Sequence, residues 1–127
     1  MTRYVDTNVL IRIMTNDVPT LAQTAIQEIK NSKSKELIII DAVLVELFFI
    51  LEFNKKYGFT RDKIEIIFNG ILAIPQFRVS DEATNAFSIY VSHKELDFTD
   101  CLLIVSAKNR KENVFSFDKD LNKNLLK

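Results

Sequence analysis

The chain has 127 residues, near the commonest size of a single domain, and 47% hydrophobic content is enough for a real core. Its formal net charge is zero, which excludes a global basic field of the kind that announces a nucleic-acid binder and leaves only local patches for such a role. A single cysteine, Cys101, excludes an internal disulfide and reads as a reducing, cytoplasmic setting.

In chain order, "RYV" reads as a first strand ending at Asp6, and "DTNVLIRIMTND" begins a short helix. Pro19 opens another helix, through about Asn31. "ELIIID" has the continuous apolar character of a strand buried on both faces. Asp41 can cap the helix that follows, to about Asn54, and Thr60 caps the helix of "TRDKIEIIFNGIL". "FRVS" is a weak strand, and Ser80 or Asp81 caps a helix to about His93. "FTDCLLIVSAKNRK" is a mostly apolar helix with Asp97 as its cap, "NVFSF" a last buried strand, and the tail from Lys119 a short helix. No low-complexity segment or repeat interrupts this order. The opening residues lack the apolar core of a signal peptide, and no apolar run is long enough to span a membrane.

Alternating strands and helices predict an α/β fold with a central, mainly parallel sheet and helices on both faces, as one domain over residues 1–127. In such folds, sites form at the carboxyl ends of the strands. Asp6 ends the first strand and Asp118 follows the last. Glu46 and Asp100 lie in early turns of helices that start at the same edge. Four acids far apart in sequence can therefore converge. Clustered carboxylates repel, and a hard divalent cation such as Mg²⁺ or Mn²⁺ removes that repulsion. The cation also lowers the pKa of a bound water and stabilises charge on a phosphoryl oxygen, the two services that phosphodiester hydrolysis needs. Glu46 is conspicuous because nine of the ten residues in "AVLVELFFIL" are apolar, a setting that disfavours an idle, outward-pointing acid.

The motifs "VDTNVLIRIMTNDVPTLAQTA", "VLVELFFIL", "DFTDCLL" and "VFSFDKDL" resemble, in order and spacing over essentially the whole chain, the four acidic motifs of PIN-domain ribonucleases. The nearest resemblance is to the VapC-type toxins of type II toxin–antitoxin modules. It implies a three-layer α/β/α sandwich and an Mg²⁺- or Mn²⁺-dependent endoribonuclease acting on RNA. It also implies a homodimer and a cognate antitoxin that occupies the site. The matched acids are Asp6, Glu46, Asp100 and Asp118, with Asp6 and Asp100 as direct metal ligands and Glu46 and Asp118 completing the set. Asn8 and Ser116 match positions that orient the acids or hold water. Cys101 stands where the family often has alanine, and Ser116 where it often has threonine.

Blander readings exist for each feature. Asp6 and Asp100 could serve only their helix starts, and Asp120 competes with Asp118. Asp17, Asp41, Asp62 and Asp81 read as caps or turn residues, and Glu52 as a solvated acid near a helix end. His93, the only histidine, lacks a Ser or Cys partner for nucleophilic catalysis and reads as a helix-end residue. Lys55, Lys56, Arg61 and Lys63, with Tyr57 and Phe59 between them, form a basic run, as do Lys108, Arg110 and Lys111. Such runs are solvated faces or phosphate contacts for RNA, with Arg12 close to the site. Phe48, Phe49, Phe53, Phe59 and Phe68 divide between mutual packing and a face for a second copy or the antitoxin. Three rivals to a ribonuclease toxin are a phospho-accepting receiver domain, a PIN fold without catalysis, and a PIN nuclease with a housekeeping role on RNA or DNA.

Overall fold

The computed structural model describes residues 1–126. It contains three short strands, β1 (Arg3–Tyr4), β2 (Leu37–Ile38) and β3 (Phe77–Arg78). Among the described residues there are seven helices: α1 (Thr7–Thr15), α2 (Pro19–Lys30), α3 (Asp41–Phe53), α4 (Arg61–Leu72), α5 (Asp81–Ser92), α6 (Phe98–Arg110) and α7 (Lys119–Leu125). The chain divides into two compact units, Met1–Val79 and the part from Ser80 onward.

In the first unit the sheet runs β1-β2-β3, parallel throughout. Arg3 sits opposite Leu37, and Leu37 opposite Phe77. Ladder bonds extend just past the strands, from Val5 N–H to Ile38 O at 2.8 Å and from Ile39 N–H to Arg78 O at 3.0 Å. "ELIIID" alternates more than its composition predicts: Leu37 and Ile39 are buried, while Ile40 is exposed. The core of this unit is built on α3, whose Leu44, Leu47, Phe48 and Leu51 recur at helical spacing and are wholly buried. Ile64, Phe68 and Ile71 of α4 pack against them, with the Phe48 and Phe68 rings edge-on at 5.3 Å.

Local chemistry explains most of the helix starts. Thr60 Oγ1 accepts from Lys63 N–H at 3.2 Å and caps α4, and Ser80 Oγ caps α5 through Ala83 N–H at 3.0 Å. The cap of α3 differs from expectation. Ile40 holds that position and Asp41 is the first helical residue, where the helix dipole favours an acid. Gly58 turns the chain between α3 and α4 at φ +56°, a left-handed conformation that costs a side chain more than glycine.

Three ion pairs in this unit, centred on Glu52 and Asp17, change the meaning of residues that the sequence assigns to the surface. Arg61 belongs to no basic face: its side chain is 5% exposed, and its Nε donates to Glu52 Oε2 at 3.2 Å, so Glu52 is not a solvated acid either. Asp17 is more than a turn residue. Its two carboxylate oxygens accept from Arg12 Nη1 at 3.2 Å each, and Oδ2 also accepts from Lys56 Nζ at 3.0 Å and Tyr57 Oη at 3.3 Å. The hydrogen bond from Lys56 foremost, then that of Thr15 and the charge of Arg12, hold the Asp17 carboxyl at about 2, below its ordinary 3.8, against an opposing desolvation. A lowered native pKa stabilises the fold only while the carboxyl is ionised. The benefit is complete above about pH 4 and is lost as the pH falls from 3.8 through 2. Thermal melts of wild type and Asp17→Asn should therefore differ at pH 5 and converge by about pH 2; a constant gap would refute the pairing.

In the second unit, Ala83, Ala86, Phe87 and Tyr90 of α5 and Phe98, Cys101 and Val105 of α6 form the core, closed by Leu121 of α7. Phe87, Tyr90 and Phe98 are in mutual ring contact. The expected strand "NVFSF" is absent. Residues 113–117 join no ladder among the described residues, and Phe115 and Phe117 are 88% and 92% exposed, stacked edge-on against each other at 5.5 Å. β-propensity expresses fit to neighbouring strands, and a segment without such a neighbour has no strand to join. No helix is long and apolar enough to cross a membrane, among the described residues.

Candidate active site

The four motif acids divide evenly between the two units, and each pair has its own local setting. In the first unit, Asp6 occupies the cap position before α1, with an extended backbone at φ −79°, ψ 150°. A capping aspartate would turn its carboxylate onto an N–H of the first turn. Asp6 makes no such bond, so its exposed carboxylate is not spent on the helix. The capping-only reading is thereby excluded. Asp6→Ala should cost less than about 0.5 kcal/mol of stability, against about 1 kcal/mol for Thr60→Ala, whose cap bond is real. Urea melts of the two variants check the contrast.

Asn8 follows in the first turn of α1 and is exposed. Asp6, Asn8 and Arg12 line one groove of about 570 Å³, together with Arg3 and Glu28 and apolar walls such as Val9 and Phe77. Glu46 points outward, contrary to the expectation drawn from its neighbours. The reason is that α3 is apolar all round. Its inner face takes the core, and its outer stripe carries Glu46 between exposed residues that include Phe49 and Phe53. Those two rings touch at 5.1 Å, so the aromatic set divides as expected into packed members (Phe48, Phe68) and exposed ones.

In the second unit the acids interact directly. Asp97 Oδ1 accepts from Asp100 N–H at 2.8 Å, and Asp100 Oδ2 accepts from Asp97 N–H at 3.1 Å. This reciprocal box opens α6 and confirms Asp97 as its cap. Burial raises the Asp100 carboxyl above its ordinary value, and the negative charges of Asp97 and Asp118 push the same way, partly offset by the Asp97 N–H. Asp118 starts α7 by accepting from Leu121 N–H at 2.8 Å. Ser116 Oγ accepts from Asp118 N–H at 3.0 Å, and Asn122 Nδ2 donates to Ser116 O at 2.8 Å. The predicted helper Ser116 thus fixes the turn that presents Asp118, although a loop replaces the strand expected before it. His93 Nδ1 lies 3.2 Å from Ile89 O at the end of α5, the structural place expected for it.

Among the described residues the ion pairs do not involve the motif acids, a condition these share with other acids such as Asp62, Asp97 and Asp120. Asp17, Glu28, Glu36, Glu52 and Glu82 each have a cationic partner. Among the described residues, Asp6, Glu46, Asp100 and Asp118 have none. No three His, Cys, Asp or Glu side chains among the described residues converge as a metal site. As donors, the four are all carboxylates, the chemistry that suits a hard divalent cation, and the uncompensated repulsion around Asp100 is what such a cation relieves. The electrostatic relation of Asp100 to Asp118 and the missing cap bond of Asp6 are invisible to motif spacing; only the sign of each residue is written there.

The family model for the PIN domain matches residues 3–124. No curated protein and no solved structure matches the chain.

Proposed function

The chain belongs to the PIN domain family, a nuclease fold, and on that premise we propose that it is an Mg²⁺- or Mn²⁺-dependent endoribonuclease and the toxin of a type II toxin–antitoxin pair. The observation that carries this reading is the carboxyl of Asp100, raised by burial and by the charges of Asp97 and Asp118, with no cationic partner for any of the three among the described residues.

Asp6, Glu46, Asp100 and Asp118 are each candidate carboxylate ligands for a divalent ion, which when bound would supply an activated water and a positive charge beside the phosphoryl oxygens. The chain's own contributions follow from their settings. Asp6 offers a carboxylate free of helix duties. Asp100 is held at a fixed angle by the Asp97 box, so little side-chain freedom is lost on binding. Ser116 does the same for Asp118 through its backbone N–H. Asn8, one turn from Asp6, can orient a carboxylate or a water with its carboxamide. The exposed Phe49 and Phe53 on α3 support a face for a second copy of the chain or for the antitoxin. The single buried thiol accords with a cytoplasmic setting.

Cleavage of a fluorogenic single-stranded RNA tests the proposal. Cutting with Mn²⁺ or Mg²⁺, abolished by EDTA and leaving 5′-phosphate and 3′-hydroxyl ends, is the expected result. Cleavage that survives EDTA, or its complete absence from a folded protein shown to bind Mn²⁺, would overturn it.

A further inference from the structure

Arg12 has a placement that the acid site does not explain. It lies on α1 at i+4 from Asn8, on the same face, and both side chains line the groove that Asp6 also enters. At 1.5 Å per residue it stands about 9 Å along the helix axis from Asp6. Its guanidinium is held by one nitrogen only: Nη1 donates to both oxygens of Asp17. Among the described residues no acceptor engages its Nε or Nη2. The side chain is about one-third exposed (30%), so those donors reach solvent.

The charge balance shows that the pair with Asp17 does not use up Arg12. Asp17 also accepts from Lys56, and the Tyr57 hydroxyl adds a neutral hydrogen bond. Two cations therefore share one carboxylate, and the cluster keeps one net positive charge. On the groove's other wall Arg3 pairs with Glu28 at 3.3 Å and the two cancel. What remains in the groove is a carboxylate at Asp6 and a surplus positive charge at Arg12. An anchored guanidinium with free donors is pre-organised for an anionic oxygen, and Arg is suited to phosphate through its planar fork.

We propose that Arg12, positioned by Asp17, binds a backbone phosphate of single-stranded RNA adjacent to the one being cleaved. This inference rests on the ribonuclease reading above. The distance from Asp6 fits a neighbouring phosphate rather than the reacting one. Arg12 is thus a substrate-binding residue, and Asp17 a positioning residue that acts through it.

Steady-state cleavage of a short single-stranded RNA with Mn²⁺, run from 50 to about 200 mM salt, tests it. Arg12→Gln should raise KM about tenfold and change kcat less than threefold, as expected for lost uniform binding. The slope of log(1/KM) against log salt should become shallower by about 0.7, the share of one phosphate contact on a single strand. Arg12→Lys should keep the slope, and Asp17→Asn should raise KM less than Arg12→Gln does with the slope retained. Lys94→Gln, which removes an exposed charge elsewhere, should change neither. If Arg12→Gln only lowers the melting temperature, with KM and slope unchanged, Arg12 is a structural tie and the inference fails while the ribonuclease reading stands. If the wild-type protein shows no metal-dependent cleavage, the reading fails and takes the inference with it.

Discussion

Asp100→Asn is expected to lower Mn²⁺-dependent RNA cleavage by about 10³-fold, or roughly 4 kcal/mol of transition-state stabilisation, with little change in fold. The substitution keeps the shape of the side chain and its ability to accept from the Asp97 N–H, so the box that opens α6 survives. What it removes is one negative charge at the carboxylate most crowded by others. Burial and the charges of Asp97 and Asp118 already disfavour that charge, and no cation among the described residues pairs with Asp100 to offset them. Loss of the charge should therefore raise the melting temperature slightly while abolishing activity. That opposition between stability and activity is the signature of an acid kept for chemistry. Asp97→Asn is the matched comparison: it touches the same box from the cap side and should retain most activity. Full activity in Asp100→Asn would refute the metal-ligand role.

Arg61→Ala should destabilise the fold by about 3 kcal/mol, among the largest effects of any polar substitution in this chain. The guanidinium is almost fully buried at the start of α4, and its partner Glu52 sits at the end of α3 with a side chain only about one-fifth exposed. Removing Arg61 leaves that carboxylate short of its charge partner and opens the volume the long side chain filled. Arg61→Met with Glu52→Met should recover most of the loss, because a buried pair can be replaced by apolar packing of similar volume. Urea unfolding of the single and double variants measures both. A single-variant cost below about 1 kcal/mol would mean that the pair behaves as a surface bridge.

These residues also show what the sequence reveals and what it withholds. Thr60, Ser80 and Asp97 are readable as caps because the bond each makes spans three residues, and its donor is visible in the same window. The helices α1 to α7 follow for the same reason, from periodicity and their end signals. Family membership is legible in the four motifs, whose order survives without any knowledge of packing. Arg61 and Asp17 are not legible. Their partners lie nine residues away across a turn and up to 40 residues away in another loop, and a basic run looks alike whether one member is buried or not. The failure at 113–117 has a related cause. The segment carries the composition of a buried strand, but a strand is a relation between segments, and composition describes only one of them. For the candidate site, the sequence locates Asp6 and Asp100 at helix starts. It cannot tell that one ignores its helix while the other is clasped by it.

Cys101 offers a consequence of a different kind. It is the only thiol in the chain, completely buried, and it directly follows Asp100 on α6. A thiol reagent can reach it only when the packing of α5 and α6 opens, so the labelling rate, divided by that of an exposed thiol, gives the equilibrium constant for opening. The protein thus carries an internal clock beside one of its motif acids. Any ligand that steadies the start of α6 will slow that clock by the factor with which it favours the closed state, without a probe having to be introduced.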